Sequence, residues 1–374
     1  MAETTSKERY AGGWMSPTER VTLALSRQQP DRVPTWEKFW PEWVTKWRAE
    51  KGLGPEEEPH VYYGIDVRQP PYNHAPRLEP QVILEDTPHH RVYRDGWGQT
   101  LCILHEGETT PEVLAVPVHD DHDLESYCFE DPTAPSRYAP LLEYVARHRG
   151  RFAFFGDLTG PFGFYWRLCG RERTLYDVLD RPRFVRRVVE TVCDFILQLA
   201  RGLLASCPDL LGIVISDDIA YNHGMMVAPA TYLELFLPSL QHLCAGLKSA
   251  GARFVVYHSD GDVRRAVPQL IEAGIDALHP LEVRAKMDVF EMKALYGERL
   301  AFIGNIDNAE LLPLGTHEQI RAEVLHKIQA ASGGGYIIGS SHSIAPDVPV
   351  ENYEYFRDLC ATYGVLDPVL SPKA

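Results

Sequence analysis

Two histidines and one aspartate follow apolar runs that are typical of buried strands. His258 and Asp260 come directly after residues 254–257 (FVVY), and His342 comes shortly after residues 336–338 (YII). Side chains alternate along an extended segment, so His258 and Asp260 are expected to point to the same side. Two imidazoles and one carboxylate could bind a divalent metal and leave one coordination position open. The alternative interpretation is that these histidines are structural or solvated loop residues.

Two adjacent carboxylates end another strand-like run. Asp217 and Asp218 follow residues 211–216 (LGIVIS), and Tyr221 lies on the same loop. Only one of two neighbouring side chains points inward from an extended segment, and we favour Asp218 as the catalytic residue. Asp217 and Tyr221 are then expected to contact substrate. The competing interpretation is that the aspartates cap the next helix.

Three further polar residues stand at strand ends. Glu37 ends the run 33–37, and Asn305 and Asp307 follow the run 300–304. We expect Glu37 and Asp307 to be catalytic and Asn305 to bind substrate. Asp307 could instead be the N-cap of a short helix at 308–312.

Aromatic residues near the predicted strand ends could form the wall of a ligand site. Trp36 precedes Glu37, and Phe162 follows a Gly-Pro pair after the strand-like run 152–156. We expect both to contact substrate, although packing in the hydrophobic core is the alternative for each.

Strand-like runs alternate with helical patterns, which predicts a parallel sheet. Six predicted strands lie from residue 152 onward, and two more precede them. They are residues 33–37, 62–67, 152–156, 211–216, 253–258, 275–278, 300–304 and 336–339. The predicted helices include 182–206, 229–250, 263–273, 287–296 and 317–331. Eight strands predict a closed (β/α)8 TIM barrel; an open doubly wound sheet is the alternative.

The segment 81–118 interrupts this alternation with an apolar–polar pattern and turn residues. It predicts two or three antiparallel strands inserted after the second barrel strand. Such an insertion could cover the barrel mouth, serve as the arm of a homodimer, or have no specific role. We expect residues 16–370 to form a single domain and the ends, 1–15 and 371–374, to be frayed.

Composition narrows the choice of partners and location. The chain has 374 residues and a formal net charge of −15, which argues against nucleic-acid or anionic-membrane partners. Its seven cysteines contain no C-x-x-C pair, so neither a disulfide framework nor a cysteine-rich zinc module is indicated. The N-terminal residues are polar, and no apolar stretch reaches the length of a membrane span. A cytoplasmic protein with a small-molecule substrate is the expectation.

Several motifs together resemble the uroporphyrinogen decarboxylase superfamily, over about residues 16–363. They are Gly160-Pro161-Phe162, the helix start after Asp217-Asp218, Gly261, Gly304-Asn305-Ile306-Asp307, and residues 341–352 (SHSIAPDVPVEN). The fold that this resemblance implies is a (β/α)8 barrel, in agreement with the strand count.

The resemblance implies two activities. Decarboxylases of the superfamily act on a porphyrinogen without a metal, and they bind its carboxylates through an arginine-containing segment after the first strand. Here the matching residues 36–40 (WEKFW) contain no arginine, and Glu37 is expected to repel a polycarboxylate. His342 matches a histidine that these decarboxylases carry near the last strand.

The other branch consists of zinc-dependent methyltransferases that move methyl groups between corrinoids and thiols. They resemble this chain at His258 but have cysteines where it has Asp260 and His342. The resemblance therefore implies a metal-dependent methyltransferase-like enzyme with a divalent metal, zinc as the first choice, and a corrinoid, free or on a partner protein. Asp218 or Glu37 would position substrate or relay a proton. A metal-free carboxy-lyase and a non-catalytic ligand-binding barrel are the alternatives.

Overall fold

A computed structural model of the chain describes residues 14–105 and 110–366, in which a curled parallel sheet is the central element. Its seven strands follow one another in space in the order of the chain, and every neighbouring pair is parallel. They are β1 (Val67–Arg68), β6 (Ala153–Thr159), β7 (Leu210–Ser216), β10 (Phe254–His258), β11 (Ala277–Leu281), β12 (Ala301–Ile306) and β13 (Tyr336–Ser340).

Two smaller antiparallel sheets complete the strand set. Four strands form the first of them in the order β2 (Gln81–Asp86), β3 (His90–Asp95), β4 (Thr100–Leu104) and β5 (Glu112–Ala115). A two-stranded hairpin after β7 forms the second, from β8 (Ala220–Tyr221) and β9 (Gly224–Met225). The segment 81–115 thus contains four strands where two or three were expected. Its interpretation as an insertion into a barrel stays a prediction.

Helices follow the parallel strands, as the alternation of patterns predicts. They are α1 (Pro17–Leu25), α2 (Pro41–Lys51), α3 (Pro59–Tyr62), α4 (Asp121–Ser126), α5 (Pro135–Arg147), α6 (Pro161–Cys169), α7 (Arg171–Asp180), α8 (Pro182–Ser206), α9 (Pro229–Leu235), α10 (Leu237–Ser249), α11 (Val267–Ala273), α12 (Val289–Tyr296), α13 (Leu311–Leu314), α14 (His317–Ile328) and α15 (Val350–Tyr363). The prediction for 182–206 is confirmed to the residue, whereas the predicted helix 229–250 is two helices.

Side chains alternate between the two faces of the parallel sheet, and each face has its own hydrophobic cluster. Phe155, Val256 and Ile303 belong to an inner cluster on one face of the sheet, which Val21 and Leu25 of α1 complete. The intervening strand residues belong to a larger cluster between the sheet and the outer helices. Because both faces are covered, the strands are almost entirely buried, as expected for a parallel sheet.

The two edges of the sheet are connected through residues 33–37. The backbone N–H of Trp36 donates to the carbonyl of Ile338 in β13, and the N–H of Asp66, just before β1, donates to the carbonyl of Thr35. Within the described residues this segment forms a single parallel bridge, Thr35 with Ile338, rather than a strand. The predicted strand 62–67 is wrong for most of its length, because helix α3 and a turn precede the short β1. The complete eight-stranded barrel therefore stays a prediction.

Helix α1 is anchored at the amino-end face of the sheet by buried ion pairs. Arg20 lies 2.7 Å from both Asp31 and Asp66, and Asp66 also accepts hydrogen bonds from the backbone and hydroxyl of Thr35. These contacts hold α1 against the amino-end face of the sheet. In the described part of the chain, no helix is both long and apolar enough to cross a membrane. The predicted fraying of 1–15 and 371–374 falls almost wholly outside the described residues, and the single-domain assignment stays a prediction.

Candidate metal centre

Two histidines on neighbouring strands form the centre of the polar cluster. His258 ends β10 and is paired in register with His279 of β11. Their Nδ1 atoms lie 2.7 Å apart, so one ring donates a hydrogen bond to the other. His279 also stacks on the indole of Trp36. Burial, followed by the charges of His258 and Lys38, holds the pKa of His279 well below its usual 6.5, so this ring is neutral. The contact leaves Nε2 of His258 directed toward carboxylates.

Asp260 lies between His258 and His342. Its Oδ1 is 3.8 Å from Nε2 of His258, and its Oδ2 is 3.3 Å from Nε2 of His342. Burial alone would raise the pKa of Asp260, but the hydrogen bond with His342 and the charges of both histidines lower it. Burial alone would lower the pKa of His342, yet Asp260 and the neighbouring carboxylates raise it. The negative charge of Asp260 and the positive charge of His342 thus stabilise each other.

Two more carboxylates flank Asp260, one on each side. Oδ1 of Asp218 is 3.7 Å from Nε2 of His258, and Oε2 of Glu282 is 3.9 Å from Nε2 of His342. Successive backbone amides orient both groups, because the N–H of Asp260 donates to Asp218 and the N–H of Gly261 donates to Glu282. Among the described residues, two sets place one ligand atom per residue within 4.8 Å of one another: Asp218, His258 and Asp260, and Asp260, Glu282 and His342. His258 and His342 therefore belong to different sets.

The cluster opens into a cavity of about 560 Å³ at the carboxyl ends of the strands. Predicted site residues that line it are Trp36, Glu37, His258, Asp260 and His342. A second cavity of about 650 Å³ adjoins it and shares Glu37, Lys38 and Ser343. Together they offer enough room for a small organic substrate.

Glu37 borders the cavity, but its side chain is almost completely buried. Its carboxylate accepts hydrogen bonds from the backbone N–H and the hydroxyl of Ser340, at 3.0 and 2.5 Å. Burial raises the pKa of Glu37 to about 7, although the Ser340 contacts and the charge of Arg357 oppose this. Glu37 therefore contributes less negative charge to the cavity than the sequence suggested, and the argument against a polycarboxylate substrate rests on the missing arginines.

Three predicted site residues have hydrogen bonds that stabilise the local backbone. Asp217 is fully buried and accepts hydrogen bonds from the N–H of Gly163 in α6 and from the hydroxyl of Tyr257, and burial raises its pKa to about 7. Asn305 is buried and bonds the backbone of Leu281, Met287 and Val289. Asp307 accepts from the N–H groups of Ala309 and Glu310 in the turn before α13; it is not the N-cap of a helix at 308–312, because the helix begins at Leu311 with Glu310 at its N-cap. These contacts account for each residue without a ligand.

Of the three aromatic residues predicted to contact substrate, one lies in the core, one is exposed and one lines the cavity. Phe162 is buried and packs edge-to-face on Phe236 in the outer core. Tyr221 is 51% exposed on the β8–β9 hairpin. Trp36 is buried but lines the cavity beneath His279. Only Trp36 is in a position to contact a molecule bound next to the histidines.

Three further residues of the site, His279, Glu282 and Lys38, were not predicted from the sequence. Lys38 lies 3.7 Å from Asp157, where it faces the second cavity. His279 and Glu282 follow the predicted strand 275–278, whose observed counterpart runs to Leu281. The signal was the one used for His258, a polar residue at the end of an apolar run, but the predicted strand was ended before His279.

The ligand set fits a divalent cation. Imidazole nitrogen and carboxylate oxygen suit zinc, manganese, iron and cobalt. Oδ1 of Asp260 is buried and accepts no hydrogen bond, which is costly for a carboxylate unless a cation or another donor compensates for it. These residues fit a divalent cation in the chemistry of their donor atoms and in their positions.

The chain is thus an α/β protein with a curled parallel sheet and a candidate ligand site in a cavity at the carboxyl ends of its strands. The chain belongs to the uroporphyrinogen decarboxylase (URO-D) family, whose model matches residues 97–363. The resemblance inferred from the motifs is thereby confirmed. Enzymes of two kinds are among its relatives.

One relative is a uroporphyrinogen decarboxylase of Xanthomonas axonopodis pv. citri, 25% identical over 90% of this chain and 96% of its own. Another is a methylated-thiol–coenzyme M methyltransferase of Methanosarcina mazei, 22% identical over 58% of this chain and 55% of its own. A solved structure of a methyltransferase from Methanosarcina mazei superimposes with a TM-score of 0.70, at 16% identity, over 94% of this chain and 99% of that one. At that identity the structural likeness concerns the fold.

Proposed function

We propose that the protein is a metal-dependent methyltransferase that moves a methyl group between a small substrate and a corrinoid or thiol. The observation that carries the proposal is the His258–Asp260–His342 arrangement at the floor of a cavity, with one carboxylate oxygen left without a hydrogen bond. The methyltransferase among the relatives supports the reaction class.

His258, Asp260 and His342 would hold the ion, with Asp218 and Glu282 beside them. A bound divalent cation supplies Lewis-acid activation of a heteroatom on the methyl donor or acceptor. His279 orients His258, and Trp36 forms an apolar floor that excludes water from the same end of the cavity. Asp218 is the candidate for moving a proton, because it is the partly exposed carboxylate beside His258.

The rest of the substrate would occupy the adjoining cavity. This cavity combines apolar residues such as Phe39 and Tyr72 with the amine of Lys38. The hydrogen bonds of residues 34–36 to β13 and to the chain before β1 would close the sheet into a complete barrel, with both cavities at its mouth. A corrinoid, free or carried by a partner protein, would approach the same mouth.

The test combines metal analysis with a methyl-transfer assay. Protein purified without chelator should contain zinc or another divalent metal, and it should convert methylcobalamin and a small thiol such as 2-mercaptoethanol to cob(I)alamin and the methyl thioether. His258→Ala should lose both properties, whereas His122→Ala, on the surface, should keep them. Metal-free wild-type protein, or equal activity in His258→Ala, would contradict the proposal.

The runner-up is a metal-free carboxy-lyase of the decarboxylase type. The similarity to uroporphyrinogen decarboxylases over 90% of the chain favours it. We expect no coproporphyrinogen from uroporphyrinogen, because residues 36–40 lack the arginines that would bind its carboxylates. Efficient turnover of uroporphyrinogen would contradict the methyltransferase proposal and favour the carboxy-lyase. If the wild-type protein binds a ligand but has neither activity, the non-catalytic ligand-binding barrel is favoured.

A further inference from the structure

We infer that the cluster binds two divalent cations, with Asp260 as the carboxylate that bridges them. The inference rests on the proposed metal dependence and extends it from one ion to two. One ion would be held by Asp218, His258 and Asp260, and the other by Asp260, Glu282 and His342. Paired sites of this kind usually hold their ions about 3.5–4 Å apart.

The orientation of Asp260 is the first observation. Its two oxygens face different partners: Oδ1 faces Nε2 of His258, and Oδ2 faces Nε2 of His342. Oδ1 is also the atom that is buried without a hydrogen bond. A carboxylate presented in this way can give one oxygen to each of two ions.

The spacing of the two histidines is the second observation. Nitrogen and oxygen ligands bind zinc at about 2.0–2.2 Å, so donor atoms on one ion lie within roughly 4.4 Å of one another. Each set of three meets a limit of 4.8 Å, yet no set found in the described residues contains both His258 and His342. In this geometry each histidine is within reach of an ion of its own, whereas a single ion shared by both would require the two rings to move closer together.

The matching composition of the two sets is the third observation. Each set has one imidazole and two carboxylates, and the outer carboxylate of each is fixed by a backbone amide of the same turn. The N–H of Asp260 holds Asp218, and the N–H of Gly261 holds Glu282 at 2.6 Å. Ligands that are oriented in advance lose less entropy on binding.

The two sets of ligands lie at different positions relative to the cavity. Glu282 and His342 line the cavity, whereas Asp218 is not among its lining residues. The ion at Glu282 and His342 would therefore be the one next to this cavity, whereas the Asp218 side chain, 31% exposed, reaches solvent outside the cavity lining.

Metal content per chain tests the inference. After saturation with Mn²⁺ and removal of excess ion, wild-type protein should contain two ions, with the spin-coupled signal of a close pair in electron paramagnetic resonance. Glu282→Gln and Asp218→Asn should each retain one ion and lose the coupled signal, and Asp260→Asn should bind neither tightly. Asp262→Asn, which removes the carboxylate paired with Arg264, is the matched control and should retain two.

The outcomes separate this inference from the proposed function. One ion in the wild type, with no coupled signal, would overturn the two-ion centre and leave the methyltransferase proposal intact. No ion would overturn both. Because a variant could fail to fold, its circular dichroism and unfolding midpoint are recorded first, and His342→Ala then serves as the second probe of the Glu282 position.

Discussion

At the scale of single residues, the two imidazoles of His258 and His279 share one hydrogen bond. A metal on Nε2 of His258 requires the proton of that ring to be on Nδ1, which can then donate to the neutral Nδ1 of His279. His279 is thus a positioning residue that selects the tautomer of a ligand, and it is held in place by the indole of Trp36.

Replacement of His279 should weaken metal binding without removing a ligand. We expect His279→Ala to lower the affinity for zinc about 10- to 100-fold, because partners that orient a ligating histidine have effects of that size. Competition with a chromophoric chelator measures the affinity, and ¹⁵N NMR of the imidazoles reports the tautomer. His122→Ala is the control. Unchanged affinity and tautomer in His279→Ala would show that this contact does not orient His258.

Glu37 should make stability depend on pH. Burial raises its pKa from 4.5 to about 7 in the folded protein. The folded state therefore binds this proton more tightly than the unfolded chain, and the stabilisation is fully present below about pH 4.5 and is lost as the pH rises through about 7. The shift corresponds to on the order of 3 kcal/mol.

Glu37→Gln should reduce this dependence, because glutamine can still accept the hydrogen bond from the N–H of Ser340 but cannot ionise. Urea unfolding at pH 5 and pH 8 measures the difference in stability, with the exposed Glu42→Gln as control. The same loss of stability in wild type and Glu37→Gln would show that Glu37 does not carry the effect.

At the scale of elements, the turn after β10 organises most of the cluster. Residues 258–261 supply two candidate ligands, and the amides of Asp260 and Gly261 hold two more carboxylates. Gly261 has a φ of +85° and lies against the β8–β9 hairpin. A Cβ there would meet the backbone N of Tyr221 at 2.5 Å, so the turn needs glycine for both its conformation and its packing.

Gly261→Ala should therefore be more costly than an alanine at another left-handed glycine. Gly52 has a φ of +64° and no atom within 4 Å of an added Cβ, so Gly52→Ala should cost only the conformational strain, about 1 kcal/mol. We expect Gly261→Ala to lower the unfolding midpoint further and to weaken metal binding through Glu282. Equal effects of the two substitutions on both measurements would mean that the hairpin moves aside freely.

At the scale of the whole molecule, the candidate ligands come from the ends of four parallel strands. Asp218 follows β7, His258 ends β10, Glu282 follows β11 and His342 follows β13. The opposite face is filled by α1 and its buried ion pairs. A cation at the cluster would therefore connect segments that are far apart in the chain.

Metal should accordingly stabilise the fold. A ligand that binds only the folded state at 100 times its Kd adds about 2.7 kcal/mol. We expect the thermal unfolding midpoint to rise with added zinc or Mn²⁺ and to fall with a chelator. The shift should disappear in the combined variant His258→Ala, His342→Ala. A shift of equal size in that variant would indicate metal binding elsewhere.

The sequence by itself determined the alternation of strands and helices, the family, and the polar residues at strand ends. These follow from local periodicity and from motifs, and helix 182–206 was predicted to the residue because its apolar spacing and its starting proline are local signals. The short β1 was predicted to begin five residues too early, because its backbone pairing depends on Ala153, more than 80 residues further along the chain.

Only the tertiary structure decided which strand-end residues meet. The register of β10 with β11 brings His279 to His258, and the register of β7 with β10 brings Asp218 to Asp260. The tertiary structure also places Asp217, Asn305 and Asp307 next to backbone N–H groups, to which they are hydrogen-bonded. Buried backbone N–H and C=O groups require such partners. A sequence shows which residues stand at strand ends, whereas contacts across strands depend on packing between distant segments.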